Sequence, residues 1–318
     1  MKKIIAVMLV LTLALGLCAF ASAEGADISG LKVTAPNGAP ALAIAMLLVD
    51  NPESYTPVTP ETIGSAFSAE EAPDFIIAPV NAGALMHKKY LNGELSNEYK
   101  LAAMVSWGNL FFAAQRESLT AEDLNGAHIT LFGENTINAS VVLYALEENG
   151  IVPGKVEYLG GADKTKDLLL EDPDAIVVTA EPALTGAKMS AKKEEKTISS
   201  IAVNDLLAKA TGGEGYAQAG LFVRAETAAA QPEAVETWLK RAEEACGKCT
   251  TDIPAVAEAA VTLKILPNAK VAEAAIPGCA IRYVSAKDAK ELIEKTAAID
   301  LKQFGGTLPA DDFYYGAE

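Results

Sequence analysis

Two histidines, 42 carboxylates and the cysteines are the groups in this 318-residue chain with acid–base, nucleophilic or metal-binding chemistry. His87 stands beside Lys88-Lys89 at the end of a helical pattern, where a solvated ring is expected. His128 opens a β-prone run and reads as a structural histidine. Neither has a catalytic partner nearby in sequence. Cys246-Gly-Lys-Cys249 has the C-x-x-C spacing of redox and zinc sites. It ends a long helical pattern instead of opening a helix after a strand, and no second Cys or His pair is close by. Cys246, Cys249 and Cys279 are therefore read as structural thiols, with a disulfide among them left open. There is no Gly-x-Ser-x-Gly elbow, no His-Glu-x-x-His and no Gly-x-x-x-x-Gly-Lys-Ser/Thr loop. Gly212-Gly213-Glu214-Gly215 lacks dinucleotide spacing, and Glu233, Glu236, Glu243 and Glu244 spread over helix faces as solvated surface. Nothing here asks for a catalytic residue, a metal or a cofactor.

Polar breaks that follow apolar strands offer a different chemistry, that of binding. In the stretch Leu124 to Leu146, His128–Phe132 is β-prone, Gly133-Glu134-Asn135 breaks the chain, and apolar residues recur from Ile137 at helical spacing, with Thr136 placed to cap. Such a strand–loop–helix unit puts free N–H groups at the carboxyl edge of a sheet, where ligands sit in open α/β folds. An ordinary βα turn with capping residues is the plain alternative. The pattern repeats, however. Leu31–Ala35 is followed by Asn37-Gly38 and the helical run 41–48, and Phe75–Ala78 by Pro79-Val80-Asn81 and a helix through Leu85 and Met86. The strand at 175–178 stops at Glu181-Pro182, and Ser106-Trp107-Gly108-Asn109 separates two strands, 101–105 and 110–114. The candidate ligand residues are thus Asn37, Gly38, Asn81, Trp107, Gly133, Asn135, Thr136 and Glu181.

The intervening segments supply the elements that hold these breaks. Helices are expected near 60–66, 164–170 and 206–207, a long one from 225 to 249, and others at 254–263, 269–274 and 286–302; strands are expected at 156–159, 198–203, 219–223 and 280–284. Strands and helices alternate, so the fold class is α/β. Ahead of them, Lys2-Lys3, the apolar run 4–17 and Ala21-Ser22-Ala23 have the form of a secretory signal peptide. A lipid anchor on Cys18 is disfavoured because Leu17, not a small residue, precedes it. Removing residues 1–23 takes two lysines and no acids, leaving 24 basic against 42 acidic side chains, net −18. That balance repels nucleic acid and anionic membranes, and no later stretch is long and apolar enough to span a bilayer. The remaining 295 residues suggest two lobes.

Asn37-Gly38-Ala39-Pro40 after the first strand, Asp74-Phe75-Ile76-Ile77-Ala78-Pro79-Val80-Asn81, Leu124-Asn125-Gly126 leading to Gly133-Glu134-Asn135-Thr136, and Glu181-Pro182 carry a family resemblance. With the leader and the ending Phe304 to Tyr315, they resemble the extracytoplasmic solute-binding proteins of ABC importers. The group in question is that of the nitrate, sulfonate and thiamine-pyrimidine (NMT1/THI5-like, SsuA-like) binders. The resemblance implies a two-lobe, periplasmic-binding-protein type II (Venus-flytrap) fold. Residues 24–114 and 220–318 would form lobe 1 and residues 115–219 lobe 2, with hinge crossings at Gln115–Asp123 and Glu214–Leu221. It also implies a small-molecule ligand in the interlobe cleft, an ABC permease as partner, and an exported monomer that is not an enzyme and carries no cofactor. An exported enzyme on the same two-lobe fold is the alternative.

The chain departs from the better-known members in its ligand-binding charges. Its four arginines, Arg116, Arg224, Arg241 and Arg282, all lie outside the candidate loops, which favours a neutral or aromatic ligand over an anion. Trp107 is placed to stack on a planar ring. If the leader is read correctly, N-terminal sequencing of the secreted protein will begin at Glu24.

Overall fold

The computed structural model describes residues 25–316. The signal peptide and Cys18 fall on residues 1–24, outside the described residues. Among the described residues no helix is long and apolar enough to cross a membrane.

The chain opens with strand β1 (Val33–Pro36), two short helices α1 (Ala39–Leu42) and α2 (Ala45–Leu48), strands β2 (Tyr55–Val58) and β3 (Phe75–Pro79), helix α3 (Val80–Leu91) and strand β4 (Tyr99–Ser106). Strands β1, β2 and β3 are parallel; β1 and β3 are buried on both faces, whereas β2, at the sheet edge, buries Tyr55 and leaves Thr56 and Pro57 exposed. A second run follows: β5 (Leu110–Ala114), β6 (His128–Phe132), α4 (Ile137–Glu148), β7 (Lys155–Leu159), α5 (Ala162–Glu171), β8 (Ile176–Ala180), α6 (Ala183–Lys193), β9 (Ser199–Ala202) and α7 (Val203–Thr211). The last run is β10 (Ala219–Arg224), α8 (Ala225–Ala230), α9 (Pro232–Thr251), α10 (Ile253–Thr262), α11 (Ala269–Ala275), β11 (Ile281–Ser285) and α12 (Ala286–Ile299).

The strands form two sheets, ordered β11-β4-β10-β3-β1-β2 and β7-β6-β8-β5-β9. In the first, β10 runs antiparallel between β3 and β4; in the second, β5 runs antiparallel between β8 and β9. Pairing thus assigns Leu110–Ala114 to the second sheet, although its sequence suggested the first. The chain first passes between the sheets at Trp107–Asn109, and the polar run Gln115–Asp123 lies within the second half. Its return lies between Thr211 and Ala219. A change in composition marked the loop after β5, whereas the partners of β5 come from residues 62 to 91 positions away, which local composition does not encode.

Three expected helices differ in detail. The run 41–48 breaks at Ile44, whose backbone (φ −119°, ψ 13°) leaves the helix. The stretch 225–249 divides at Gln231, whose backbone (φ −137°, ψ 54°) leaves the helical region before Pro232, which then opens α9 as a first-turn proline. Residues expected to be helical at 60–66 instead form a 3-10 helix at Ile63–Ser68.

Apolar side chains from both sheets merge in one core around the crossings, including Phe112, Ile129, Ile137, Tyr216, Phe222 and Ile293, all at most 5% exposed. A second core lies under α9, where Phe75 stacks on Trp238 with ring centroids 3.8 Å apart and planes 11° apart. Helix α3 reaches β10 through Gly83, where an added methyl would lie 2.1 Å from Phe222 Cζ. That ring is fixed between Phe67 and Phe313, at 5.5 and 6.0 Å. Gly83→Ala is therefore expected to lower stability by about 1–3 kcal/mol through overpacking, read as a lower urea midpoint at unchanged slope.

Candidate functional site

The parallel strands of each sheet end at the same edge, and the two edges face one another. β1 delivers Asn37 and Gly38, β3 delivers Asn81, β6 delivers Gly133–Thr136, and β8 delivers Glu181-Pro182. The loops meet in pairs. Gly38, at φ 98°, turns so that a methyl added there would lie 3.6 Å from Pro182 Cδ of the opposite sheet, and one on Gly278 would lie 2.8 Å from Glu181 Cγ. On the other side Gln303, in a 3-10 turn at Leu301–Phe304, donates from Nε2 to the Asn135 carbonyl at 2.8 Å. Its own carbonyl accepts from Asn81 Nδ2 at 3.5 Å. Apart from Trp107, the expected site residues therefore fall into two clusters where loops of the two sheets meet.

Each loop has a local reason for its shape. Thr136 donates from Oγ1 to the Gly133 carbonyl at 2.6 Å and caps α4 by accepting from Ala139 N at 3.5 Å. Gly133 and Asn135 take positive φ, 69° and 60°, as residue types that tolerate the left-handed region. Asn37 is exposed, and its Oδ1 accepts from the Tyr55 hydroxyl at 2.7 Å. Asn81 Oδ1 is buried without a partner.

Trp107 lies apart from both clusters. It is 3% exposed, donates from Nε1 to the Arg282 carbonyl at 2.9 Å, and has the Arg282 guanidinium over its ring at 4.6 Å. It lines a cavity of about 330 Å³ on the hinge side with Asn204, Glu214 and Pro277. One face of its ring is thus already covered by the protein's own cation.

Between the clusters runs a set of polar groups at the crossings. Asn109 donates from Nδ2 to the Glu181 carbonyl at 2.7 Å, and its own carbonyl accepts from Glu181 N at 3.0 Å. Asn109 Oδ1 accepts from Gln218 Nε2 on the returning segment at 2.9 Å. Asn204 Nδ2 donates to the carbonyls of Trp107 and Gly108 at 2.8 and 3.1 Å. Asn109 was part of the break recognised around Trp107, but the sequence did not distinguish it. Gln218, Gln303 and Asn204 carry no sequence signal, since each acts through partners more than 70 positions away.

Glu181 is the buried carboxylate of the cleft. It is 7% exposed, with its carboxylate accepting from Thr185 N at 3.1 Å and Thr185 Oγ1 at 2.9 Å. Burial pushes its pKa up, and the Thr185 hydrogen bonds and the Lys188 field oppose that in part. It lines a cavity of about 300 Å³ with Thr185, Lys188, Met189, Lys192 and, from the first-sheet side, Ala274.

The remaining reactive groups lie outside the cleft. His87, expected in solvent, is 5% exposed: its ring packs against Phe313, with Nδ1 3.3 Å from the Tyr99 carbonyl and Nε2 3.5 Å from an Asp312 oxygen. The C-terminal residues fold back over the end of α3, a contact invisible in local sequence. His128 is exposed and pairs with Glu157 at 2.9 Å. Cys246, Cys249 and Cys279 are free and buried, and burial pushes the Cys249 thiol up to about 12, so thiolate chemistry is suppressed. Among the described residues no group of three or more His, Cys, Asp or Glu side chains is placed to hold a metal ion.

No family model and no curated protein matches the chain. Solved structures do. A crystal structure of an ABC transporter from Parabacteroides distasonis matches with TM-score 0.74 at 20% identity, over 91% of this chain and 99% of that one. The chain has a two-lobe α/β fold shared with binding proteins. The periplasmic aliphatic sulphonate-binding protein SsuA of Escherichia coli matches at TM-score 0.61 and 13% identity, over 86% of each chain. The alkanesulfonate-binding SsuA of Xanthomonas axonopodis pv. citri, bound to MOPS, matches at 0.60 and 14%, over 92% of this chain and 98% of that one.

Removing the Asn109 side chain leaves the Glu181 carbonyl and Gln218 amide without their partner in a buried place. Asn109→Ala is expected to cost about 1–3 kcal/mol of stability, measured by equilibrium urea unfolding.

Proposed function

We propose that this chain is an extracytoplasmic solute-binding subunit of an ABC importer, which captures a small organic molecule between its lobes and hands it unchanged to a permease. The observation that carries this reading is the facing of two carboxyl sheet edges across two chain crossings, with loops from opposite sheets meeting at both ends of the cleft. The structural neighbours, an ABC transporter and two sulfonate-binding proteins by description, support it. Lobe 1 comprises residues 25–106 and 219–316, and lobe 2 residues 110–211. The linking segments, 107–109 and 212–218, are short enough to act as a hinge. A ligand that touches both lobes favours the closed arrangement by its extra affinity for that state, and a permease reads the difference. Asn37, Gly38, Asn81, Gly133, Asn135, Thr136 and Glu181 border the cleft that takes the ligand, and Trp107 stiffens the hinge behind it. We place the protein outside the cytoplasm, as a monomer without a cofactor.

The test is a thermal-shift screen of the secreted chain against a metabolite library, followed by recovery and mass analysis of the bound compound. A ligand at a hundred times its Kd should add about 2.7 kcal/mol of stability, a shift of several degrees for a chain of this size. Asn135→Ala and Asn81→Ala should each weaken binding by roughly 5- to 150-fold. Chemical conversion of the recovered ligand would sink the transport reading.

A further inference from the structure

The interlobe cavity beside Glu181 has an unusual distribution of charge. At one end lies the Glu181 carboxylate, buried, satisfied in part by Thr185 and acted on by Lys188 only through its field. An ionised carboxylate accepts about four hydrogen bonds, and only two partners are in place. Further along the same face of α6 stand Lys188 and Lys192, four residues apart and hence neighbours. Lys188 donates to Ser200 Oγ at 2.8 Å, while an ammonium has three donors to give. Lys192 is exposed. Because Glu181 binds at Thr185, its carboxylate and the Lys188 stem are separated by about one helical turn, ~5 Å along the axis. Met189 on α6 and Ala274 on α11 provide apolar walls from opposite lobes.

An anion placed here would meet the buried carboxylate, and a simple cation would meet two lysines. Each end is satisfied only by a molecule carrying both signs a short distance apart. The hinge-side cavity offers no such arrangement, because the charges lining it, Glu214 and Arg282, are already paired with one another. We infer that this cavity recognises a small zwitterion of the α-amino-acid type with an apolar side chain. Its ammonium is held by Glu181, its carboxylate by Lys188 and Lys192, and its side chain lies between Met189 and Ala274. The inference rests on the solute-binding reading and names the ligand class for the Glu181 end of the cleft, between α6 and α11. Since Ala274 comes from one lobe and the charged groups from the other, such a ligand is enclosed fully only when the lobes are together.

Isosteric probes test this on the secreted full-length chain. Norleucine carries both charges, pentylamine lacks its carboxylate and hexanoate lacks its ammonium. Calorimetric titration is expected to show norleucine binding at least tenfold more tightly than either analogue. Glu181→Gln and Lys188→Met should each weaken norleucine binding tenfold or more, and Lys188→Met, altering a half-exposed residue, serves if Glu181→Gln does not fold. Affinity should also fall as acid protonates Glu181, because the neutral carboxyl no longer opposes the ammonium charge. Hexanoate or pentylamine binding as well as norleucine, or norleucine binding that ignores both substitutions, overturns the inference. A library screen separates the levels. Stabilisation by other compounds but by no α-amino acid overturns the zwitterion and leaves the solute-binding reading standing. Stabilisation by nothing removes both.

Discussion

Asn109 is the residue on which the arrangement of the two lobes depends. Its backbone carbonyl and side-chain amide hold the end of β8 through Glu181, while its side-chain oxygen holds Gln218 on the returning segment. A single buried amide thus links both passages of the chain to the strand that delivers the buried carboxylate of the cleft. Buried polar networks of this kind specify one arrangement because every alternative leaves a donor or acceptor unpaired. Ser106 and Asn204 extend the network to either side, through Gln218 and through the Trp107 and Gly108 carbonyls. The cleft geometry follows from this fixed floor.

Around that floor the chain spends much of its polar capacity on itself. Thr136 caps α4, the Glu181 carboxylate ahead of α6 accepts from Thr185 N in its first turn, and Val80 N at the start of α3 is taken by the Gln218 carbonyl at 2.8 Å. Three helix starts that face the cleft are therefore partly satisfied from within, which weakens the positive potential such ends offer an anion. The arginines do not restore it. Arg116, Arg224 and Arg282 are engaged with Asp123, Asp74 and Glu214, and Arg241 lies exposed on α9. Two of the structural neighbours are sulfonate binders by description.

The ends of the cleft differ in character. The Gly38 and Gly278 side packs closely against Glu181-Pro182, and close approach there depends on the absence of side chains. The opposite end is joined by a C-terminal turn, where Ser140 also donates to Asp300 at 2.8 Å and Lys88 holds the Gly305 carbonyl. In the proposed clamp, opening on that side exchanges the Ser140–Asp300 and Gln303–Asn135 hydrogen bonds for water, at a modest cost per bond, while the Lys88–Gly305 contact stays within one lobe.

Much of this was legible in the sequence because it is local. Alternating apolar runs and breaks place nearly every strand and helix, Thr136 declares itself a cap, and the repeated strand–loop–helix grammar puts Gly38, Asn81, Asn135 and Glu181 at carboxyl edges. Periodicity and capping depend on residues three or four apart, which is the range at which sequence is informative. What the tertiary structure alone decided depends on partners far along the chain. The placement of β5 in the second sheet, the burial of His87 under the C-terminal residues, the covering of Trp107 by Arg282, and the roles of Asn109, Gln218 and Gln303 are of this kind. Sheet pairing and buried amide networks are set by which surfaces must be removed from water together and which polar groups must then be paired. That choice is made over the whole fold at once, and no single stretch of sequence contains it.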